Sequence, residues 1–411
     1  MKQKIVLAYS GGLDTSVILH WLKQNYSADV IACIVDVGQP DEDFELIKNR
    51  ALSVGAKKVY VIDAKEEFVK DYIFKVLKAN AVYEGKYLLG TSIARPLIAK
   101  KVVEVAKKEN CKILSHGATG KGNDQVRFEL TFKCLYPQAK IIAPWRIWDL
   151  RSREDEIKYA KKHKIPVPVT KEKPYSSDAN LWHISYEGGI LEDLEKKEPD
   201  EKMFQLTVSP KNATDEPEIV EIVFEKGVPI KVVSKEGTIS LKKDGGAKLI
   251  QELNKIAGRN AIGRTDIVEN RLVGIKSRGV YEAPAATLLY FAHRELEYLT
   301  LDKETFHYKE HIALEYAKMV YNGEWFTTKR EALDRFIDET QKYVCGIIKL
   351  KLYKGNIIVV SRKSKYSLYN TELASFDKES KGLLEYDQKD AEGFINLFGL
   401  QYKVSSIVKN K

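Results

Sequence analysis

The chain has 411 residues, 44% hydrophobic and 30% charged, with 67 basic against 58 acidic side chains for a net charge of +9. That composition excludes disorder over most of the length, and no apolar run approaches the roughly 18–20 residues of a membrane-spanning helix. Lysines are scattered rather than gathered in one segment, which argues against a dedicated nucleic-acid binder; anionic small substrates are at least as good an explanation of the charge. From Ile5 onward the elements alternate. Ile5–Tyr9 reads as a strand, Asp14–Asn25 as a helix with Val17, Ile18, Trp21 and Leu22 on one face, and Val30–Val37 as a strand apolar enough to be covered on both sides. Helix Glu42–Val54, strand Lys58–Ile62, helices 65–79 and Ala94–Lys108, strand Lys112–Ser115, helix Gln125–Leu135 and strand Ile141–Pro144 continue the pattern. Strand and helix in alternation predict an α/β, doubly wound parallel sheet over residues 1–165.

The pattern changes at Pro166-Val167-Pro168, a loop signal. Beyond it, Phe204–Ser209, Glu218–Glu225 and Pro229–Val233 read as antiparallel strands, and Val344–Tyr353 with Asn356–Ser361 as a hairpin turning at Lys354-Gly355. Helices are expected at Gly246–Gly258, Ala283–Thr300, Tyr308–Asn322 and Lys329–Glu339, which makes residues 166–362 an α+β domain. The remainder, 363–411, carries a helix near Gln388–Phe398 but too little else for a core of its own. It is expected to be an arm that packs on another subunit, or on its own chain. Met1-Lys2-Gln3-Lys4 leads into an apolar stretch too short for a signal peptide, so a cytoplasmic chain is expected. Cys33, Cys111, Cys134 and Cys345 form no C-x-x-C pair and no metal spacing, so neither a disulfide framework nor a metal site is expected.

Five segments carry chemistry. Ala8-Tyr9-Ser10-Gly11-Gly12-Leu13-Asp14-Thr15-Ser16 joins the first strand to the first helix, at the edge where open α/β sheets bind ligands. Its glycines let backbone N–H groups approach an anion, Ser10, Thr15 and Ser16 add hydroxyls, and the helix N-terminus adds partial positive charge. It is a phosphate cradle, but not a Walker loop, because no Gly-Lys-Ser/Thr follows. Tyr87 to Pro96 opens a second helix with Gly90-Thr91-Ser92, whose amides and hydroxyls can hold a carboxylate, although taken alone the segment reads equally as a plain helix cap. Ser115 to Arg127 packs three glycines, Lys121, Asn123, Asp124 and Arg127 into one loop, and so supplies both an acid for an ammonium and an Arg for a carboxylate. Tyr175 to Glu187, and Gly263 to Arg271 continuing to Lys276–Glu282, are open to a structural reading when taken alone.

The first segment resembles the pyrophosphate loop of enzymes that split ATP into AMP and pyrophosphate. All five together, in this order, resemble the argininosuccinate synthase family. The resemblance implies an ATP-dependent, AMP-forming ligation of citrulline and aspartate through a citrulline–adenylate, as in arginine biosynthesis. It also implies a synthetase role for 166–362, Mg²⁺ accompanying ATP, a homotetramer, and no nucleic-acid or membrane partner. By the same resemblance Ala8 to Ser16, Val35 and Gly117 bind ATP, with the Val35 backbone meeting the adenine. Tyr87, Ser92, Arg127, Ser176, Ser185, Glu269 and Tyr281 match citrulline positions. Thr91, Thr119, Asn123 and Asp124 match aspartate positions, and Asn123 is placed to meet both amino acids. Asp14, Asn123, Asp124 and Arg127 form the expected catalytic set. No general base for the aspartate amine stands out, and His116 and His183 are read as structural.

Two departures accompany the resemblance. Asn260-Ala261-Ile262-Gly263 stands where the family commonly has His-Gly-Val-Gly, and Ala285-Ala286 where Gly-Gly is usual. Two rival readings remain. One is another pyrophosphate-loop enzyme, such as a tRNA thiolase, which would need a cysteine pair or iron–sulfur site. The other is a nucleotide-binding sensor, which would leave the amino-acid loops unexplained.

Overall fold

The computed structural model describes residues 2–40, 42–150, 152–166, 175–195, 199–375 and 386–411; Val167 and Pro168 of the expected loop, and 376–385 of the expected arm, lie outside them. The described chain forms two compact units, one up to Tyr366 and one from Ser367.

In the first unit, β1 (Lys4–Ala8), β2 (Asp29–Asp36), β3 (Lys58–Asp63), β4 (Ile113–Ser115) and β5 (Lys140–Ile142) form a parallel sheet in the order β3-β2-β1-β4-β5. The order reverses between β1 and β4, so the loop leaving β1 opens at the switch point of the sheet. Ile5, Val6, Leu7 and most of β2 are fully buried because helices cover both faces. The helix Leu13–Tyr26 follows β1, and the helix Gly90–Lys108 packs against β1, β2 and β4.

Two antiparallel sheets complete this unit. β6 (Ser176–Ala179), β7 (Ile184–Glu187), β11 (Arg264–Asn270) and β12 (Lys276–Glu282) pair in the order β11-β12-β7-β6. β8 (Glu218–Glu225), β9 (Val228–Ser234), β10 (Gly237–Ser240), β13 (Gly346–Tyr353) and β14 (Asn356–Lys363) pair in the order β10-β9-β8-β13-β14. One apolar core runs from the parallel sheet through the β8–β13 sheet and the helices Gly246–Arg259 and Pro284–Thr300. The fourth and fifth motifs are therefore hairpins, β6–β7 and β11–β12.

Phe204–Ser209, expected as a strand, pairs with none. A buried carboxylate explains this. Glu282, at the end of β12, accepts the backbone N–H groups of Gln205, Leu206 and Thr207 at 2.8, 2.9 and 2.8 Å. Donors that a strand would have offered to a neighbouring strand are used up on one side chain.

Of the two departures, one carries strain. Ala261 adopts φ +62°, in the left-handed region where a Cβ crowds the backbone. Ala285 and Ala286 are buried in the helix Pro284–Thr300 without positive φ, and their methyls cost no such strain. Replacing Ala261 by Gly relieves about 1–2 kcal/mol of strain. It returns about 0.4–1 kcal/mol of chain entropy to the unfolded state. The expected net gain is about 0.5–1 kcal/mol, read from the urea midpoint; a lower midpoint would show that the methyl packs usefully.

The second unit contains the helix Asp390–Lys409, longer than the segment expected from sequence. Phe394 stacks on Phe398 at 5.4 Å and Phe398 meets Tyr402 tilted at 6.0 Å, and they and its other large apolar side chains are exposed.

Candidate active site

The loop after β1 is built to leave amides free. Gly12 caps the helix Leu13–Tyr26 and no side chain accepts its first N–H groups. Those donors, with the helix dipole, face whatever anion enters. Gly11 has φ +79°, and a Cβ there would stand 2.7 Å from Ile47 Cγ2, so only glycine fits. Ser10 Oγ and Thr15 Oγ1 lie 3.1 Å apart, and Tyr9 Oη and Ser16 Oγ, both buried, 2.9 Å apart. Arg50 donates to the Gly11 carbonyl. Gly117, after β4, completes the cradle: a Cβ on it would touch Thr15 Cγ2 at 3.0 Å. Behind the loop, Glu156 is buried and pushed up to about 9 by burial and by the neighbouring Asp14.

A second constellation lies beyond the sheet's carboxyl edge. Tyr87 Oη accepts the N–H groups of Thr91 and Ser92 at 3.1 and 3.3 Å. The first amides of the helix Gly90–Lys108 are thus already partnered by a phenol, where the sequence reading had expected them free to hold a carboxylate. Thr91 Oγ1 donates to Asp178 at 3.0 Å and meets His183 Nε2 at 2.9 Å. Asn180 shapes the β6–β7 turn: its Oδ1 accepts the N–H groups of Trp182 and His183, and its Nδ2 donates to the Gly90 carbonyl. That seats the His183 ring against Gly90, where a Cβ would stand 2.2 Å from it. Burial and then Arg95 and Arg127 push His183 down to about 3, so it is neutral at physiological pH.

Asp124 begins the helix Asp124–Leu135 and meets two guanidinium groups, Arg95 Nε at 2.7 Å and Arg127 Nη1 at 2.9 Å. Burial acts to raise its pKa, but Arg95 and Arg127 hold it below the usual carboxylate value. Asp124 is therefore a shared hub, where the sequence reading had it free for an ammonium. Arg127 also donates from Nε to the Tyr321 carbonyl at 3.0 Å and sits over the Tyr321 ring at 5.0 Å; its Nη2 takes part in neither contact. Arg95 bridges on to Asp178 at 2.6 Å.

Tyr281 on β12 lies beside Tyr87, with ring centroids 4.7 Å apart, and donates to Glu269 Oε1 at 3.0 Å. Glu269 is buried and its Oε2 has no partner. Burial raises its pKa and Arg127 opposes the shift. Ser185 pairs with Tyr281 across β7–β12. The result is a buried cluster of aromatic rings, Tyr87, Tyr281 and Tyr321, with the Glu269 carboxylate and the Arg127 guanidinium set against it.

The sequence models that match this chain are the argininosuccinate synthase N-terminal HUP domain over residues 4–166 and the argininosuccinate synthase C-terminal domain over 175–405. The chain belongs to the argininosuccinate synthase family. An argininosuccinate synthase of Caldanaerobacter subterraneus subsp. tengcongensis is 62% identical over 407 residues, 99% of this chain and 96% of that one. One from Thermoanaerobacter sp. is 61% identical with the same coverage, and one from Clostridium novyi 57% identical over 100% of this chain and 99% of its own. An NH3-dependent NAD synthetase from Campylobacter jejuni aligns at 13% identity over 40% of this chain and 66% of its own, with a TM-score of 0.27.

Within this argininosuccinate synthase family chain the expected residues separate by position. Ala8 to Ser16 and Gly117 converge at the cradle, and Val35 lies on β2 beside it. Tyr87, Thr91, Ser92, Asp124, Arg127, Ser185, Glu269 and Tyr281 gather around the aromatic cluster. Asn123 joins through its Oδ1, which accepts Leu272 N at 2.9 Å. Thr119 and Ser176 are exposed. Sequence reading missed Arg95, Asp178 and Tyr321. Arg95 stands one helical turn after Thr91, a spacing that could have exposed it. Tyr321 ends the helix Lys303–Tyr321 and carries no motif, so no local signal existed.

His116 and His183 are both held by neighbours: His116 Nε2 meets Glu129 at 3.2 Å and its Nδ1 accepts Ala118 N at 3.2 Å. Among the described residues no group of three or more His, Cys, Asp or Glu is arranged to hold a metal ion, and no helix is long and apolar enough to cross a membrane.

Proposed function

We propose that this chain ligates citrulline to aspartate at the expense of ATP. The citrulline ureido oxygen attacks the α-phosphorus and pyrophosphate leaves, giving a citrulline–adenylate. The aspartate amine then attacks the activated carbon, AMP departs with the former ureido oxygen, and the amine loses a proton. The supporting observation is that Arg127, held by Asp124 and the Tyr321 carbonyl, and Glu269, whose Oε2 has no partner, lie around one cluster of aromatic rings and feel each other's charge. An α-amino acid brings a carboxylate for one and an ammonium for the other. A charged acceptor left unpaired in a buried site is costly, so a cationic ligand group there is favoured.

The division of labour follows the resemblance. Residues 1–165 hold ATP through Ala8 to Ser16, Val35 and Gly117, and 166–362 supply the synthetase part. Tyr87, Ser92, Arg127, Ser176, Ser185, Glu269 and Tyr281 receive citrulline, while Thr91, Thr119, Asn123 and Asp124 receive aspartate. Asp14, Asn123, Asp124 and Arg127 align the reacting groups, and alignment can supply roughly 7–11 kcal/mol. Mg²⁺ arrives with ATP, held mainly by phosphate oxygens. Asp14 is the carboxylate of the loop, and a cation there would also suit its neighbour Glu156 once that group loses its proton.

The enzyme is proposed to work in the cytoplasm as a homotetramer, with 363–411 as the arm between subunits. Exposed Phe394, Phe398 and Tyr402 favour this. Truncation after Lys363 is expected to lower the mass in light scattering; an unchanged mass would sink the arm.

The function is tested by pyrophosphate and AMP release from Mg-ATP with citrulline and aspartate each omitted in turn. Sustained release is expected only with both. Release with neither would refute the ligation.

A further inference from the structure

Beyond the end of β1, one edge of β2 runs on without a neighbouring strand. Tyr9 N donates to the Cys33 carbonyl at 2.9 Å, which marks the side of β2 that faces β1. Backbone groups alternate sides along a strand, so Val35, two residues on, turns its N–H and C=O to that same side. The carbonyls of Val30 and Asp36 turn the other way and accept Lys57 N and Ala64 N at 2.8 and 2.9 Å. Val35 therefore offers a donor and an acceptor next to the phosphate cradle, with no strand to take them.

A side chain has taken the acceptor. Gln39 Nε2 donates to Val35 O at 3.1 Å, while Gln39 Oε1 accepts Val37 N at 2.8 Å. The carboxamide presents to Val35 an N–H of the kind that the exocyclic amine of adenine presents. Gln39 also lines a cavity of about 610 Å³ with Asp36, Phe44, Lys65 and, from the helix Gly246–Arg259, Gln251 and Lys255. The cavity gives the Gln39 side chain room to turn into once it leaves Val35.

We propose that Gln39 is a displaceable plug. Its carboxamide holds the Val35 edge and must swing away before the base of an adenine nucleotide can pair there. The inference rests on the reading of Val35 as the adenine contact. Breaking two neutral hydrogen bonds of Gln39 is a cost of binding that falls on the base and not on the phosphates.

The test measures calorimetric binding of Mg-ATP and of inorganic tripolyphosphate to the full chain and to Q39A. Q39A is expected to bind ATP about three- to tenfold more tightly and tripolyphosphate equally. Equal or weaker ATP binding by Q39A, with tripolyphosphate binding intact, overturns the plug. If Q39A, freed of that cost, still binds ATP no more tightly than tripolyphosphate, the adenine assignment of Val35 fails, and the plug with it. Should Q39A lose tripolyphosphate binding, Q39N replaces it under the same criterion, since its side chain is one methylene too short to span Val35 O and Val37 N.

Discussion

Replacement of Arg127 by Met is expected to lower kcat/KM for citrulline about 10²- to 10⁴-fold while leaving ATP affinity unchanged. Arg127 is almost fully buried and already anchored at two points, Asp124 and the Tyr321 carbonyl. Its guanidinium is thus fixed before any ligand arrives, and little entropy remains to be lost on binding. Charge-assisted hydrogen bonds to a carboxylate contribute about 1.5–3 kcal/mol each, and two of them account for the expected range. The same substitution leaves Asp124 with Arg95 as its remaining cation, so the hub persists and the fold survives. Arg127→Lys is expected to recover little, because a point charge cannot keep Asp124, Tyr321 and a substrate in one plane. Steady-state kinetics with calorimetric ATP binding decides it: a citrulline KM within about threefold of the unaltered enzyme, with kcat intact, would remove Arg127 from the site.

Glu282→Gln is expected to destabilise the first unit by about 3–5 kcal/mol. Glu282 is completely buried and accepts five hydrogen bonds: three backbone N–H groups of Gln205 to Thr207, Thr207 Oγ1 at 2.7 Å and Tyr186 Oη at 2.6 Å. Gln keeps the shape but turns one acceptor oxygen into a donor that faces donors. Each buried N–H or hydroxyl left unpaired costs about 1–3 kcal/mol. Tyr281 precedes Glu282 on β12, so loosening this strand end is also expected to raise the citrulline KM. The urea midpoint measures the first effect, and a loss below about 1 kcal/mol would mean that water replaces the missing acceptor.

Much of the nucleotide half was legible because its signals are local. The run Ile5–Ala8 followed by Ser10-Gly11-Gly12 shows a strand, a break and a helix start within a dozen residues, and the structure places the helix at Leu13. Strand and helix periods differ enough to mark β1 to β5 along the chain from the apolar pattern, while their order in the sheet came from the structure. The β11–β12 hairpin was not legible: burial alternates along β11, but the buried face carries the acid Glu269 and the outer face the apolar Val268, so the residue types do not show the alternation. Phe204–Ser209 alternates as a strand should, yet a carboxylate 75 to 77 residues away took its amides.

Sequence by itself determined the chemistry-bearing types at the site: the Gly-rich loop, the acid and Arg of Asn123 to Arg127, and the two later motifs. Tertiary structure alone decided how they combine. Arg127 reaches Tyr321 across 194 residues, Thr91 reaches His183 across 92, and Arg95 reaches Asp178 across 83. Such contacts leave no periodic trace in the chain, because a side chain's partner depends on which elements the core brings side by side. Tyr87, read as a ligand residue, also caps a helix, and Asp124, read as free, is shared by two arginines. Burial makes the difference: inside the protein each polar group must find a partner, and only the packed fold says which.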